Sequence, residues 1–280
     1  MPHDTLKVTK VRRQKLVMAQ DLAHLGGGTA HASQARMRTR PVAALAALLV
    51  LGACSQKVYS PPARGLALDS PAPLAAGDTT VGLRGGALGG SFGPTVAIGG
   101  LSLRRGLTSE LELSGDASYY AVTDHSPSGT APGIFAGRVG AKMSPHLDWP
   151  VTLGLAFGAG GGVAEAGGGF VAADVAGLIA YENCYVVPYG SIGALVSEPI
   201  DARPIDVTSD KNTMPVYATA ETTYGVSFEV GARVKLQPGR CREQGQSATL
   251  TLGVGGVRLT QASGPSDGFG GLQLGIEFPL

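Results

Sequence analysis

The chain has 280 residues, 43 of them glycine, with 44% hydrophobic, 6% aromatic and 15% charged residues. Against roughly 7% Gly and 25% charged residues in an average domain, glycine is about doubled and charge nearly halved, while 22 Lys+Arg against 21 Asp+Glu leave a formal charge of +1. This excludes a nucleic-acid binder working through basic patches, a collagen, since the glycines have no period of three, and a disordered chain.

In chain order, residues 1–36 come first. They are polar and basic, with Lys7, Lys10, Arg12, Arg13, Lys15 and Arg36 against Asp4 and Asp21. They are expected to be a miscalled or disordered extension ahead of a true start at Met37, the alternative being a long natural leader begun at Met1 or Met18. Residues 37–53 follow, with Arg38 and Arg40 as a basic start and 42–53 as a run without a polar side chain. The run is shorter than the roughly 20 residues a membrane-spanning helix needs, and its pattern is that of a secretory signal. Its end, Leu51-Gly52-Ala53-Cys54, resembles the lipobox of bacterial lipoproteins. The resemblance implies cleavage before Cys54, a diacylglycerol on its sulfur, a palmitate-type acyl chain on its new amino group, and handling by lipoprotein-sorting machinery. With Ser55 rather than Asp after the cysteine, the enteric sorting rule implies export to the outer membrane.

Without the eight basic and two acidic residues ahead of Cys54, 14 basic and 19 acidic residues remain, a formal charge of −5. Residues 54–78, rich in Pro and Ala, read as the anchored cysteine followed by a flexible tether.

From residue 79 onward the period is two. In 109–122, Glu110, Glu112, Ser114, Asp116 and Ser118 share one face, and Leu111, Leu113, Ala117 and Tyr119 the other. In 223–236, Tyr224, Val226, Phe228, Val230 and Val234 oppose Thr223, Ser227, Glu229, Arg233 and Lys235. Candidate strands fall near 79–88, 94–104, 108–122, 133–144, 150–161, 169–182, 185–196, 217–236, 247–260 and 270–279. Most exceed the roughly 5–6 residues of a soluble strand and match the 9–11 or more of a transmembrane one.

The expected fold is therefore all-β: an antiparallel up-and-down transmembrane β-barrel of about ten strands, with eight also compatible, over residues 79–280. Short links at 105–107, 145–149 and 183–184, with a longer one at 237–246, alternate with a longer set at 89–93, 123–132, 162–168, 197–216 and 261–269. Outer-membrane barrels have such asymmetry, with short turns periplasmic. An even strand number then places both mature termini on the periplasmic side. Trp149, Tyr181, Tyr185 and Phe278 map to that end, and Tyr119, Phe135, Phe157 and Phe170 towards the other, as two aromatic girdles. The stretch 104–113 resembles the turn-plus-strand phrase of bacterial outer-membrane barrels. Residues 272–280, with Phe278 followed by Pro279 and Leu280, are similar to the terminal strand such proteins present to the barrel-assembly machinery.

The charged face is expected to line the lumen. A hairpin around residue 127 sets Asp116 opposite Arg138 and Glu112 opposite Lys142 in one register, and Arg84, Glu110, Asp174, Glu229, Arg233 and Lys235 extend that network. The lumen reads as plugged by ion pairs rather than as a selectivity filter, because few strands enclose little space; inward glycines and alanines leave some room for water. Cys184 and Cys241 fall in links on one rim, and an oxidising compartment makes a disulfide between them the expected state.

Other motifs dissolve on inspection. Gly89-Gly90-Ser91-Phe92-Gly93 has the nucleophile-elbow spacing, but a strand follows where a helix is required. Asp124-His125 is a lone dipeptide in an outer loop, and loop 197–216 lacks the order of a calcium site. The reading is a lipid-anchored outer-membrane barrel with a structural or minor small-solute passage role, without catalysis, cofactor or metal, whose partner is outer-membrane lipid. The second reading is a lipocalin-like lipoprotein, a soluble barrel with its apolar face turned inward on a hydrophobic ligand. Periodicity alone leaves the direction of the apolar face open.

Overall fold

The alternation resolves into strands in a computed structural model that describes residues 58–90, 95–123, 133–145, 150–206, 217–236, 247–264 and 266–280. Ten strands form the barrel: β1 (Thr79–Gly90), β2 (Thr95–Gly106), β3 (Leu111–Thr123), β4 (Gly133–Met143), β5 (Val151–Ala164), β6 (Gly168–Tyr181), β7 (Val186–Ile200), β10 (Thr223–Lys235), β11 (Thr249–Gln261) and β12 (Ser266–Pro279). Two short strands between β7 and β10, β8 (Ile205–Asp206) and β9 (Tyr217–Ala218), pair only with each other. Neighbours in sequence pair antiparallel, and β1 closes on β12 from Thr80↔Pro279 to Gly90↔Phe269. Closure leaves no sheet edge with unpaired backbone groups. At 11–15 residues, rising about 3.3 Å each and tilted by roughly 40°, the strands stand ~28–38 Å tall.

The strand boundaries depart from the sequence reading in one place of substance. The expected strand 217–236 is divided: β9 folds back onto β8, and the barrel strand starts at Thr223. Several strands also run further than their alternation indicates, so the expected asymmetry of the links shrinks. The links at 165–167 and 262–265 are tight, while 236–248 at the opposite end spans the gap between β10 and β11. The long connections at the loop end are 124–132 and 201–222.

The apolar face points outward. Phe135, Val139, Ile192, Phe228 and Val230 are 59–71% exposed, and Leu83, Leu101, Leu155, Val175, Leu252 and Leu272 lie on the same outer surface. Among strand residues with outward parity, the charged ones are Arg105, Glu198 and Arg258, all within four residues of a strand end. A charge-free apolar band thus encircles the barrel between two polar rims. The lipocalin arrangement, with its apolar face inward, is the opposite of this.

Two girdle residues need correction. Phe170 is 3% exposed and faces the lumen, because it shares parity with Asp174 on β6. Phe157 stands near mid-height of β5. Tyr119 and Phe135 do pair at the loop end, with ring centroids 4.7 Å apart, and Tyr181, Tyr185 and Phe278 are exposed at the other end. Trp149 lies outside the described residues.

Candidate functional site in the barrel lumen

Residues 58–78, part of the stretch 54–78 expected to be a flexible tether between lipid and domain, run through the barrel lumen from one mouth to the other. At the loop end, Gln261 Nε2 donates to the Val58 carbonyl at 2.8 Å, Tyr59 bridges Glu221, and Tyr59 packs edge-on against Phe269. Burial, with Asp267 nearby, pushes the Tyr59 phenol up. The Ser60 N–H donates to Thr223 Oγ1 at 2.9 Å, the Ser60 and Ser197 hydroxyls meet at 2.7 Å, and Ser197 also donates to the Pro61 carbonyl. At the far end, the Gly77 N–H donates to the Gly106 carbonyl and the Gly106 N–H to the Asp78 carbonyl, both at 2.9 Å. From there the chain enters β1. We call residues 58–78 the strap.

The lumen around the strap is layered. Towards the loop end, Ala63 and Leu66 sit in an apolar collar of Leu88, Ile98, Tyr120, Ala136, Phe170 and Ala172. Burying a leucine such as Leu66 contributes about 1.5–3 kcal/mol.

A charge layer follows at mid-height. Arg138 makes a two-pronged pair with Asp174 at 2.6 and 2.7 Å and reaches Asp116 at 3.3 Å, and Arg84 reaches Asp116 at 3.2 Å. Asp116 stands across from Arg138 and Glu112 across from Lys142 on β3 and β4. The third layer, nearer the short-turn end, joins Arg104, Lys142 and Arg233 to Glu112, Glu277 and Asp69. Arg104 binds Glu112 at 2.6 Å, Glu277 at 2.9 Å and Asp69 at 3.2 Å, Lys142 binds Asp69 at 3.0 Å, and Arg233 binds Glu277 at 2.6 Å. Three cations thus face two carboxylates from the strands, and the strap supplies the third. Buried charges left unpaired cost several kcal/mol each, so Asp69 completes the neutralisation of this layer.

Further hydrogen bonds hold the strap's backbone. The Leu68 N–H donates to Glu229 Oε2 at 3.0 Å, while Tyr189 donates to the other Glu229 oxygen at 2.5 Å. Lys142 Nζ donates to the carbonyls of Ser70 and Ala72, Ser144 to that of Pro71, and the Leu74 N–H donates to Glu112 Oε2. Leu68 takes a φ of 45°, a conformation rare for a leucine, held by its bond to Glu229 and by burial of its side chain.

Inward glycines make room for these groups rather than for water. A Cβ on Gly253 would lie 2.8 Å from Leu68 Cδ2, one on Gly154 2.9 Å from Pro71 Cβ, and one on Gly158 inside contact distance of the Arg138 guanidinium. Among the described residues, a polar cavity of about 30 Å³ is lined by Arg64, Asp69, Arg84, Arg104, Asp116 and Glu277 among others, room for a few waters.

Of the sequence-predicted lumen residues, Arg84, Glu112, Asp116, Arg138, Lys142, Asp174, Glu229 and Arg233 converge in this arrangement. Glu110 lies in the exposed link before β3 and Lys235 is exposed at the end of β10: their parity is inward, but both stand at the rim, past the buried layers. Cys184 is exposed in the link between β6 and β7; Cys54, Cys241 and His125 lie outside the described residues. Arg104, Glu277 and Asp69 were missed. Arg104 and Glu277 carried a signal, since each breaks an apolar alternation on the inward parity of its strand. Among the described residues, no group of His, Cys, Asp or Glu side chains is placed to hold a metal ion.

No protein-family model matches the chain, and no curated protein does either. Solved structures similar in fold include the N-terminal β-barrel domain of Pseudomonas aeruginosa OprF (12% identity, 71% of this chain and 97% of that one, TM-score 0.32). The β domain of the Bordetella autotransporter BrkA (11% identity, 72% and 99%, TM-score 0.42) and an outer membrane channel from Pseudomonas putida F1 (10% identity, 75% and 97%, TM-score 0.42) also overlap. These overlaps are loose, and the fold assignment rests on the strand pairing of this chain itself.

Proposed function

We propose that the protein is a lipid-anchored outer-membrane β-barrel with a structural role, sealed across its lumen and without catalysis. The observation that carries this reading is the combination of a charge-free apolar outer band with a lumen filled by the chain's own strap. Strands ~28–38 Å tall suit a band of about 25 Å of hydrocarbon, and exposed apolar surface on this scale marks a surface that is covered by something other than water. The lipobox at 51–54 supports the anchor, and the terminal strand ending in Phe278-Pro279-Leu280 supports delivery to the barrel-assembly machinery.

Small-solute passage becomes the lesser part of the reading. Eight strands enclose about the space that side chains alone fill, and porins with an aqueous channel have 16–18. Ten strands leave a little more, and here the strap takes it. The full-length protein, purified in detergent and inserted in a planar bilayer, is expected to give no steady ion conductance. Steady conductance by the unaltered protein would overturn the sealed-barrel reading in favour of a channel.

A further inference from the structure

The strap fixes the direction in which the chain enters the barrel, and this bears on where a lipid on Cys54 can sit. We propose that the acylated amino terminus lies at the loop end of the barrel, so that its acyl chains enter the leaflet on that side, the outer leaflet of an outer membrane. The proposal rests on the lipidation reading above and corrects its geometry: both mature termini at the short-turn end is the arrangement the strap opposes.

The first described residue, Val58, is held at the loop mouth by Gln261, and the next two by Glu221, Thr223 and Ser197. These partners stand near the ends of β7 and β11 and around the start of β10, and all belong to that mouth. The other end of the chain, Leu280, is tied to Thr79 at the short-turn mouth, its N–H donating to the Thr79 carbonyl at 3.0 Å. Val58 lies four positions after Cys54, and four extended residues reach at most about 14 Å. The barrel is ~28–38 Å tall by its strand lengths and tilt, and the lumen that would give a way back is occupied by residues 58–78. Cys54 therefore cannot reach the short-turn side. Acyl chains hold to a bilayer by roughly 0.8 kcal/mol per buried CH₂, and the leaflet within reach is the one beside the loop mouth.

The same geometry constrains assembly. A filled, closed lumen offers no passage to a terminus carrying acyl chains, so the strands must close around the strap.

The test uses the full chain in a Gram-negative host, with three separate epitope insertions: between Ser55 and Gln56, within 207–216, and within 237–246. The first two are expected to bind antibody on intact cells, and the third only after permeabilisation. A single substitution, Gln56→Cys in a Cys184→Ser, Cys241→Ser background, gives an independent readout with a membrane-impermeant maleimide and is expected to label on intact cells. A tag at 55/56 or a thiol at position 56 that reacts only under the conditions that expose 237–246 would overturn the proposal. Lipidation is read separately, as palmitate incorporation lost in Cys54→Ala. Absence of that label from the unaltered protein would sink the lipidation reading, while the side on which the terminus emerges would still be reported by the tags.

Discussion

Replacing Arg138 with Met is expected to destabilise the folded barrel by about 3–5 kcal/mol, the cost of breaking a buried ion pair by removing one partner. The Arg138 side chain is 1% exposed and is the two-pronged partner of Asp174; its loss leaves Asp174 without its hydrogen-bonded counter-ion, with Arg64 acting on it only through space. Asp116 keeps Arg84 at 3.2 Å, so the damage is confined to one charge. The double variant Arg138→Met, Asp174→Leu removes both charges and is expected to recover most of the loss, because paired buried ions contribute little over apolar groups of similar volume. Urea unfolding of the refolded protein in lipid vesicles measures this as a double-mutant cycle. Simple additivity of the two single costs would contradict a direct buried pairing of these two side chains.

A second large effect is expected at Asp69, which belongs to no strand. Asp69→Lys sets a cation within reach of Arg104 and Lys142, 3.2 and 3.0 Å from the present carboxylate. The strap loses the charge that holds it, and about 3–5 kcal/mol corresponds to a rise of roughly 10²–10⁴-fold in the population of barrels with a displaced strap. The strands keep their pairing, so the variant should still migrate as a folded, heat-modifiable barrel on a gel. In a planar bilayer it is expected to conduct where the unaltered protein does not. A variant that stays closed and equally stable would mean that Asp69 does not seal the lumen.

The strands and their register were legible because an apolar outer face and a polar lumen alternate along most of each strand. The single register that sets Glu112 opposite Lys142 and Asp116 opposite Arg138 fixes the β3–β4 pairing, and the structure has that pairing. Parity also held signals that were not used: Phe170 shares a face with Asp174, which places it inward. The strap was illegible for a physical reason. Residues 58–78 have no period, and their polar groups are satisfied one at a time by partners far along the chain, Ser60 by Thr223, Leu68 by Glu229 and Asp69 by Arg104. No local pattern records such contacts, and a Pro- and Ala-rich stretch that threads a lumen is composed like one that hangs free. The inward glycines were illegible in the same way: read together as room for water, at Gly158 and Gly253 they admit Arg138 and Leu68 instead.

The direction of the apolar face could be taken only from the structure, since an inward or outward face gives the same alternation. With that direction set, low charge and high glycine describe one design: an apolar outer band whose few charges stand near the strand ends, and an interior thinned so that arginines and a length of chain fit inside.

The measurement that bears most directly on the strap is a cross-link between it and the wall. The Ser60 and Ser197 hydroxyls are 2.7 Å apart at the loop mouth, although 137 positions separate the two residues in the chain. Ser60→Cys with Ser197→Cys, in a Cys184→Ser, Cys241→Ser background, therefore brings two thiols together between strap and strand. Rapid disulfide formation in the folded protein, with both introduced thiols protected from a water-soluble maleimide until reduction, is the predicted result. Free reaction of both thiols with the maleimide and no cross-link under oxidation would show that residues 58–78 lie outside the lumen.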